Sequence, residues 1–86
     1  MLPTVLCGDF NGVLAGPALE GLLGAGWRGG VGEGKTPSYP AGEPEVRIDH
    51  ILGRWLPPGG GLGDVRVVEE AVVSDHRPVI ARLELV

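Results

Sequence analysis

Arg47-Ile48-Asp49-His50-Ile51-Leu52-Gly53 sets aliphatic residues against ionisable ones, a pattern that reads as a strand with two unlike faces. Period-two alternation puts Ile48, His50 and Leu52 on one face and Arg47, Asp49 and Ile51 on the other. With apolar neighbours on its face, His50 reads as a packed, hydrogen-bonded histidine. Asp49 is the better candidate for function, because a carboxylate carried into a strand needs a partner and His76 can supply one. Its structural alternative is a pairing with Arg47 or a backbone amide.

Outward from that strand, Thr4 to Cys7 is a short, mostly apolar run closed by Gly8, which leaves Asp9 to Asn11 at its C-terminal end. Gly16 to Gly26 spaces Leu19, Leu22 and Leu23 as one face of a helix, with Pro17 suited to the first turn and Gly24 or Gly26 to the stop. From Trp27 to Glu45 glycine and proline are too dense for a long element, so a loop is expected, with a short extended piece at Thr36 to Tyr39. Pro57 to Gly63 reads as a turn-rich connection, and Val65 to Glu69 and Val79 to Leu85 as two further strands. The expected order is strand, helix, then three strands, in one α/β unit without internal repeats.

At 86 residues the core is thin, since chains of this size remove only about 60 to 65% of their unfolded surface from water. Cys7 is the sole cysteine, so no disulfide partner is expected and no zinc cluster is suggested. The formal net charge is −4 and the cationic residues are scattered, which argues against a basic nucleic-acid footprint in this segment. No apolar run approaches the roughly 20 residues of a membrane span, and Met1-Leu2-Pro3 lacks the features of a leader. The visible chain therefore reads as soluble and, by default, cytoplasmic. Its 16 glycines and 8 prolines fall largely in Gly24–Pro44 and Pro57–Gly63, leaving the apolar runs intact.

Gly29-Gly30-Val31-Gly32-Glu33-Gly34-Lys35-Thr36 matches the string of a phosphate-binding loop. That mechanism needs an apolar strand before the loop and a helix opening at the Lys-Thr pair. Here Trp27-Arg28 precedes it, Pro37 follows Thr36, and Pro40 removes another amide donor. A plain glycine loop is the expected structure.

Three short segments carry the chemistry: Gly8-Asp9-Phe10-Asn11, the strand around Asp49, and Ser74-Asp75-His76-Arg77-Pro78-Val79. In an extended stretch Asp9 and Asn11 point to the same side, while Phe10 points into the core. A carboxylate that takes a proton from water, beside an amide that bonds a phosphate oxygen, suits phosphoester hydrolysis. An Asx-turn after a strand is the structural alternative. Arg77-Pro78 breaks local regularity and fixes Asp75 and His76 at the mouth of the last strand. His76, held by a carboxylate, can donate to a phosphoryl oxygen, and Asp75 offers oxygen to a hard cation such as Mg²⁺. A turn-forming Ser-Asp pair with an exposed histidine is the alternative.

Together these motifs resemble the endonuclease/exonuclease/phosphatase family, in which GDxN, an Asp within an I-D-x-I strand and S-D-H before the closing strand follow one another in this order. Thr36-Pro37 is similar to that family's threonine-proline segment. The resemblance implies a two-sheet α/β sandwich, mostly antiparallel with one helix in this part, of which residues 1–86 are a partial domain, the C-terminal half. It implies metal-dependent hydrolysis with Mg²⁺ or Mn²⁺. Asp9 would position or deprotonate water with Asn11 as its transition-state partner, His76 would contact the phosphate, Asp49 would orient His76, and Asp75 would bind the metal. The substrate class stays open among nucleic acid, phospholipid and inositol phosphate. The family draws an asparagine and a metal-binding glutamate from an N-terminal half, so that half is the expected partner and the chain alone is expected to be inactive. A catalytically silent module of the same fold is the alternative.

Overall fold

The computed structural model describes residues 2–57 and 61–85. Its elements are β1 (Thr4–Asp9), α1 (Pro17–Gly24), β2 (Arg28–Gly29), β3 (Asp49–Arg54), β4 (Gly61–Val67) and β5 (Val79–Glu84). They form an α/β arrangement of two antiparallel sheets, one in the order β1-β3-β2 and one of β4 and β5.

β3 is the centre of the larger sheet because it is the strand with a face that can be buried throughout. Ile48, just before it, and His50 and Leu52 within it are buried, while Asp49 and Ile51 on the other face are half-buried. The strand stops after Arg54, where Trp55 turns to φ 58° and the Arg54 guanidinium lies 4.2 Å from the Trp55 ring centroid. Leu19 of α1, Ala41, Ile48, Leu52 and Val65 of β4 make the buried apolar core. α1 opens on Gly16 with Pro17 in its first turn, and it ends where the Ala25 amide donates to the carbonyls of Gly21 and Leu22, each at 3.0 Å.

Several boundaries differ from the expectation, each for a tertiary reason. β1 does not close at Gly8 but continues to Asp9, because β3 pairs with it along the whole run from Thr4↔Arg54 to Asp9↔Asp49. β2 arises inside the stretch expected to be loop, where Arg28 and Gly29 pair with Gly53 and Leu52. The expected extended piece is a single bridge, Tyr39↔Val46. β4 begins at Gly61 rather than Val65, since Gly61, Leu62 and Gly63 pair with Glu84, Leu83 and Arg82 of β5. A bulge between Gly63 and Arg66, with Asp64 at φ 50°, absorbs the register shift. The rest of the expected turn-rich connection, 58–60, lies outside the described residues.

The glycine-rich stretch 30–36 turns across β4 instead of opening a helix. The Val65 amide donates to the Val31 carbonyl at 3.0 Å, and a Cβ at Gly30 or Gly32 would collide with the carbonyl oxygens of Leu62 and Val65. Two of the glycines in the phosphate-loop string are thus accounted for by close backbone approach between loop and strand.

Candidate functional site

Antiparallel pairing sets Asp9, the last residue of β1, directly opposite Asp49, the first of β3. Residues so paired share a sheet face with Cβ atoms about 4.5 to 5.5 Å apart, a costly position for two carboxylates unless a cation or proton donor stands between them. His76 stands there. Its Nδ1 lies 2.8 Å from Asp49 Oδ2 and 3.1 Å from Oδ1, and its Nε2 lies 3.7 Å from Asp9 Oδ2. The hydrogen bond to Asp49 is the main cause that raises the His76 pKa above its ordinary 6.5; partial burial opposes it, and the charges of Asp49, Asp75 and Asp9 add to it.

The segment carrying His76 is clamped from both sides. The His76 amide donates to Ser74 Oγ at 3.1 Å, the Ala41 amide to the Asp75 carbonyl at 2.7 Å, and the Arg77 amide to the Ser38 carbonyl at 2.8 Å. Arg77 Nε also donates to the Ala41 carbonyl at 2.7 Å. The Tyr39 ring packs against the imidazole with centroids 4.6 Å apart. Ser38, fully buried, donates from Oγ to Asp49 Oδ2 at 2.8 Å. Ser38 and Tyr39 are residues that sequence reasoning missed. A serine eleven positions before Asp49 carries no motif, and the only hint was the neighbouring Thr36-Pro37.

Asp9 and Asn11 are brought together differently from the expected alternation. The chain leaves the extended conformation after Asp9, Asn11 sits at φ 50°, and its amide donates to Asp9 Oδ1 at 2.8 Å. This is an Asx-turn, so the link between the two runs through the Asn11 backbone. Asp9, Asp49 and His76 line an open cleft of about 390 Å³, whose wall continues through Cys7, Ile51 and Pro78. Asn11 and Asp75 are exposed and are not part of that wall.

Asp9, Asp49 and His76 each offer one ligand atom, and those atoms lie within 4.8 Å of one another. Ligands on opposite sides of a Mg²⁺ ion are about 4.2 Å apart, so the spacing of this set is on the scale of one ion's coordination shell. Two carboxylates suit a hard cation, and the imidazole suits Mn²⁺ better than Mg²⁺. Asp75, the ligand expected from the sequence, lies outside the trio, with its carboxylate 3.4 Å from Ser74 Oγ.

Residues 2–76 match the model of the Endonuclease/Exonuclease/phosphatase family. No curated protein and no solved structure matches the chain.

Proposed function

The chain belongs to the endonuclease/exonuclease/phosphatase family, and from that membership we propose that the Asp9–His76–Asp49 cleft takes part in metal-dependent hydrolysis of a phosphoester. The alignment of His76 between the two carboxylates is the observation that carries this reading.

In the proposed reaction Asp9 Oδ2, on the exposed side of the pair, orients an attacking water and takes its proton. His76 presents Nε2–H to the phosphoryl oxygen on which charge grows. Asp49 accepts from Nδ1–H, so Nε2 also carries a hydrogen when the ring is protonated, the form that Asp49 favours, and Ser38 in turn fixes Asp49. Asn11 supplies an amide at the rim for the transferring group. A Mg²⁺ or Mn²⁺ ion held by Asp9 and Asp49 would polarise the phosphoryl oxygen and neutralise charge there. Asp75 adds negative charge beside His76 and would help to hold the cation at the site. The reaction is proposed to be completed by residues of a larger parent domain, since this cleft brings only two carboxylates to the ion.

The test uses the complete gene product containing this sequence, with bis(4-nitrophenyl) phosphate and Mg²⁺ or Mn²⁺. Asp9→Asn and His76→Ala each lower turnover by about 100-fold or more, with the thermal midpoint little changed. Turnover that survives both substitutions sinks the proposal. A folded product with no metal-dependent turnover favours a silent module instead.

A further inference from the structure

Behind the cleft lies a buried polar network that the proposed chemistry does not use. Glu33 is 7% exposed, Arg47 4% and His50 1%. Glu33 Oε2 accepts from Arg47 at 3.1 Å, and Glu33 Oε1 lies 2.6 Å from His50 Nδ1. Arg47 also donates to the carbonyls of Asp49 at 2.7 Å and Thr36 at 3.1 Å. The other ring nitrogen, His50 Nε2, lies 2.8 Å from the Gly12 carbonyl oxygen. A carbonyl only accepts, so Nε2 carries a hydrogen, and a second hydrogen lies between Nδ1 and the Glu33 carboxyl group.

Burying such a group gives little net stability, because apolar side chains of the same size fill the space at no greater cost. What it does provide is direction. Gly12 follows Asn11, and a Cβ on Gly12 would lie 2.5 Å from the Ala18 Cβ, so this backbone is wedged between α1 and His50. Two positions earlier the Phe10 amide donates to the Ile48 carbonyl at 2.9 Å, and the Phe10 ring packs edge-on against His50 with centroids 5.8 Å apart. The turn that carries Asn11 is therefore held from beneath by residues on the buried face of β3.

We propose that Glu33 and His50 are positioning residues: Glu33 holds the His50 ring so that its Nε2–H grips the Gly12 carbonyl and sets the Asp9–Asn11 turn at the cleft. The acidic residue inside the phosphate-loop string thus anchors the site across the molecule. The kinetic part of this inference rests on the hydrolytic reading above, while the structural part does not.

Glu33→Gln and Glu33→Ala separate positioning from packing. In Glu33→Gln the new side-chain amide donates to His50 Nδ1 and its carbonyl accepts from Arg47, which keeps Nε2–H on Gly12. In Glu33→Ala the ring is free to turn or to change tautomer. Amide hydrogen exchange at Phe10 and Asn11 then speeds by about tenfold relative to Leu6 and Leu52, which face each other across β1 and β3, and kcat falls by about 10- to 100-fold with KM nearly unchanged. Glu33→Gln recovers most of both losses. Equal acceleration of all these amides, or equal loss in both variants, reduces the network to a structural role and overturns the proposal. If Glu33→Ala does not fold, the scalar coupling across the hydrogen bond from His50 Nε2 to the Gly12 carbonyl carbon decides: present in the parent and in Glu33→Gln, it supports the proposal, and absent from the parent, it ends it. A parent without turnover refutes the hydrolytic reading alone, because exchange and coupling still judge the anchor.

Discussion

At the scale of single residues, His76 is the group whose environment is most clearly altered. Asp49 holds it above 6.5, so protonated His76 is favoured more in the folded chain than in the unfolded one. The stability this contributes is fully present below about pH 6.5. It is lost as pH rises through the raised folded value. The thermal midpoint of the metal-free chain should therefore decline across that window, and His76→Gln should remove this part of the decline. A midpoint that rises there in the parent relative to His76→Gln would contradict the Asp49–His76 pairing. Ser38→Ala tests the next bond inward: loss of a donor to a carboxylate should cost about 1.5 to 3 kcal/mol in denaturant unfolding. It should also loosen the His76 ring. Asp49 was legible beforehand because a carboxylate interrupts an otherwise apolar alternation, whereas Ser38 was not, because a loop serine looks the same whether or not it is buried.

At the scale of elements, the loop between β2 and the Tyr39 bridge meets β4 through its backbone. Gly32 sits at φ 97° with a carbonyl of β4 where its Cβ would be. Gly32→Ala should cost at least about 2 kcal/mol, from strain and overpacking together, as measured by urea unfolding. Lys35 is exposed, and Lys35→Ala should change stability by no more than about 0.5 kcal/mol. The reverse ranking would mean that the loop is not docked on β4. Glu33 lies within the same loop and is buried beneath it. Within the string that imitates a phosphate loop, Gly30 and Gly32 are thus explained by a close strand crossing, which the glycines alone do not distinguish from a nucleotide cradle.

At the scale of the whole molecule, the apolar core is small and the edges are open. Among the described residues Leu19 and Leu52 are the large apolar side chains buried completely, while Val5, Val72, Val73, Ile80 and Leu83 remain exposed. Leu52→Ala should remove about 2 to 5 kcal/mol, which is comparable with the whole stability of a marginal domain. Loss of cooperative unfolding by circular dichroism is the expected result, and a folded variant would mean that the core is larger than these residues. Among the described residues β1 has β3 on one side only, and it carries Val5 and Cys7 on the face shared with Asp9. Among the described residues no helix is long and apolar enough to cross a membrane.

The sequence by itself determined the α/β class, the helix around Leu19, the strand around Asp49 and the three segments that converge on the cleft, because periodicity and unusual residues in apolar runs are local signals. The tertiary structure decided the rest. Where β1 and β4 begin or end, how β2 forms and how Asp9 comes to face Asp49 all depend on which strand is available as a partner, and pairing energy is non-local. The same holds for Ser38, Glu33 and the Gly12 carbonyl: each acquires a role only when a chain segment distant in sequence brings a buried group within hydrogen-bonding reach, and burial leaves that group no water to bond instead.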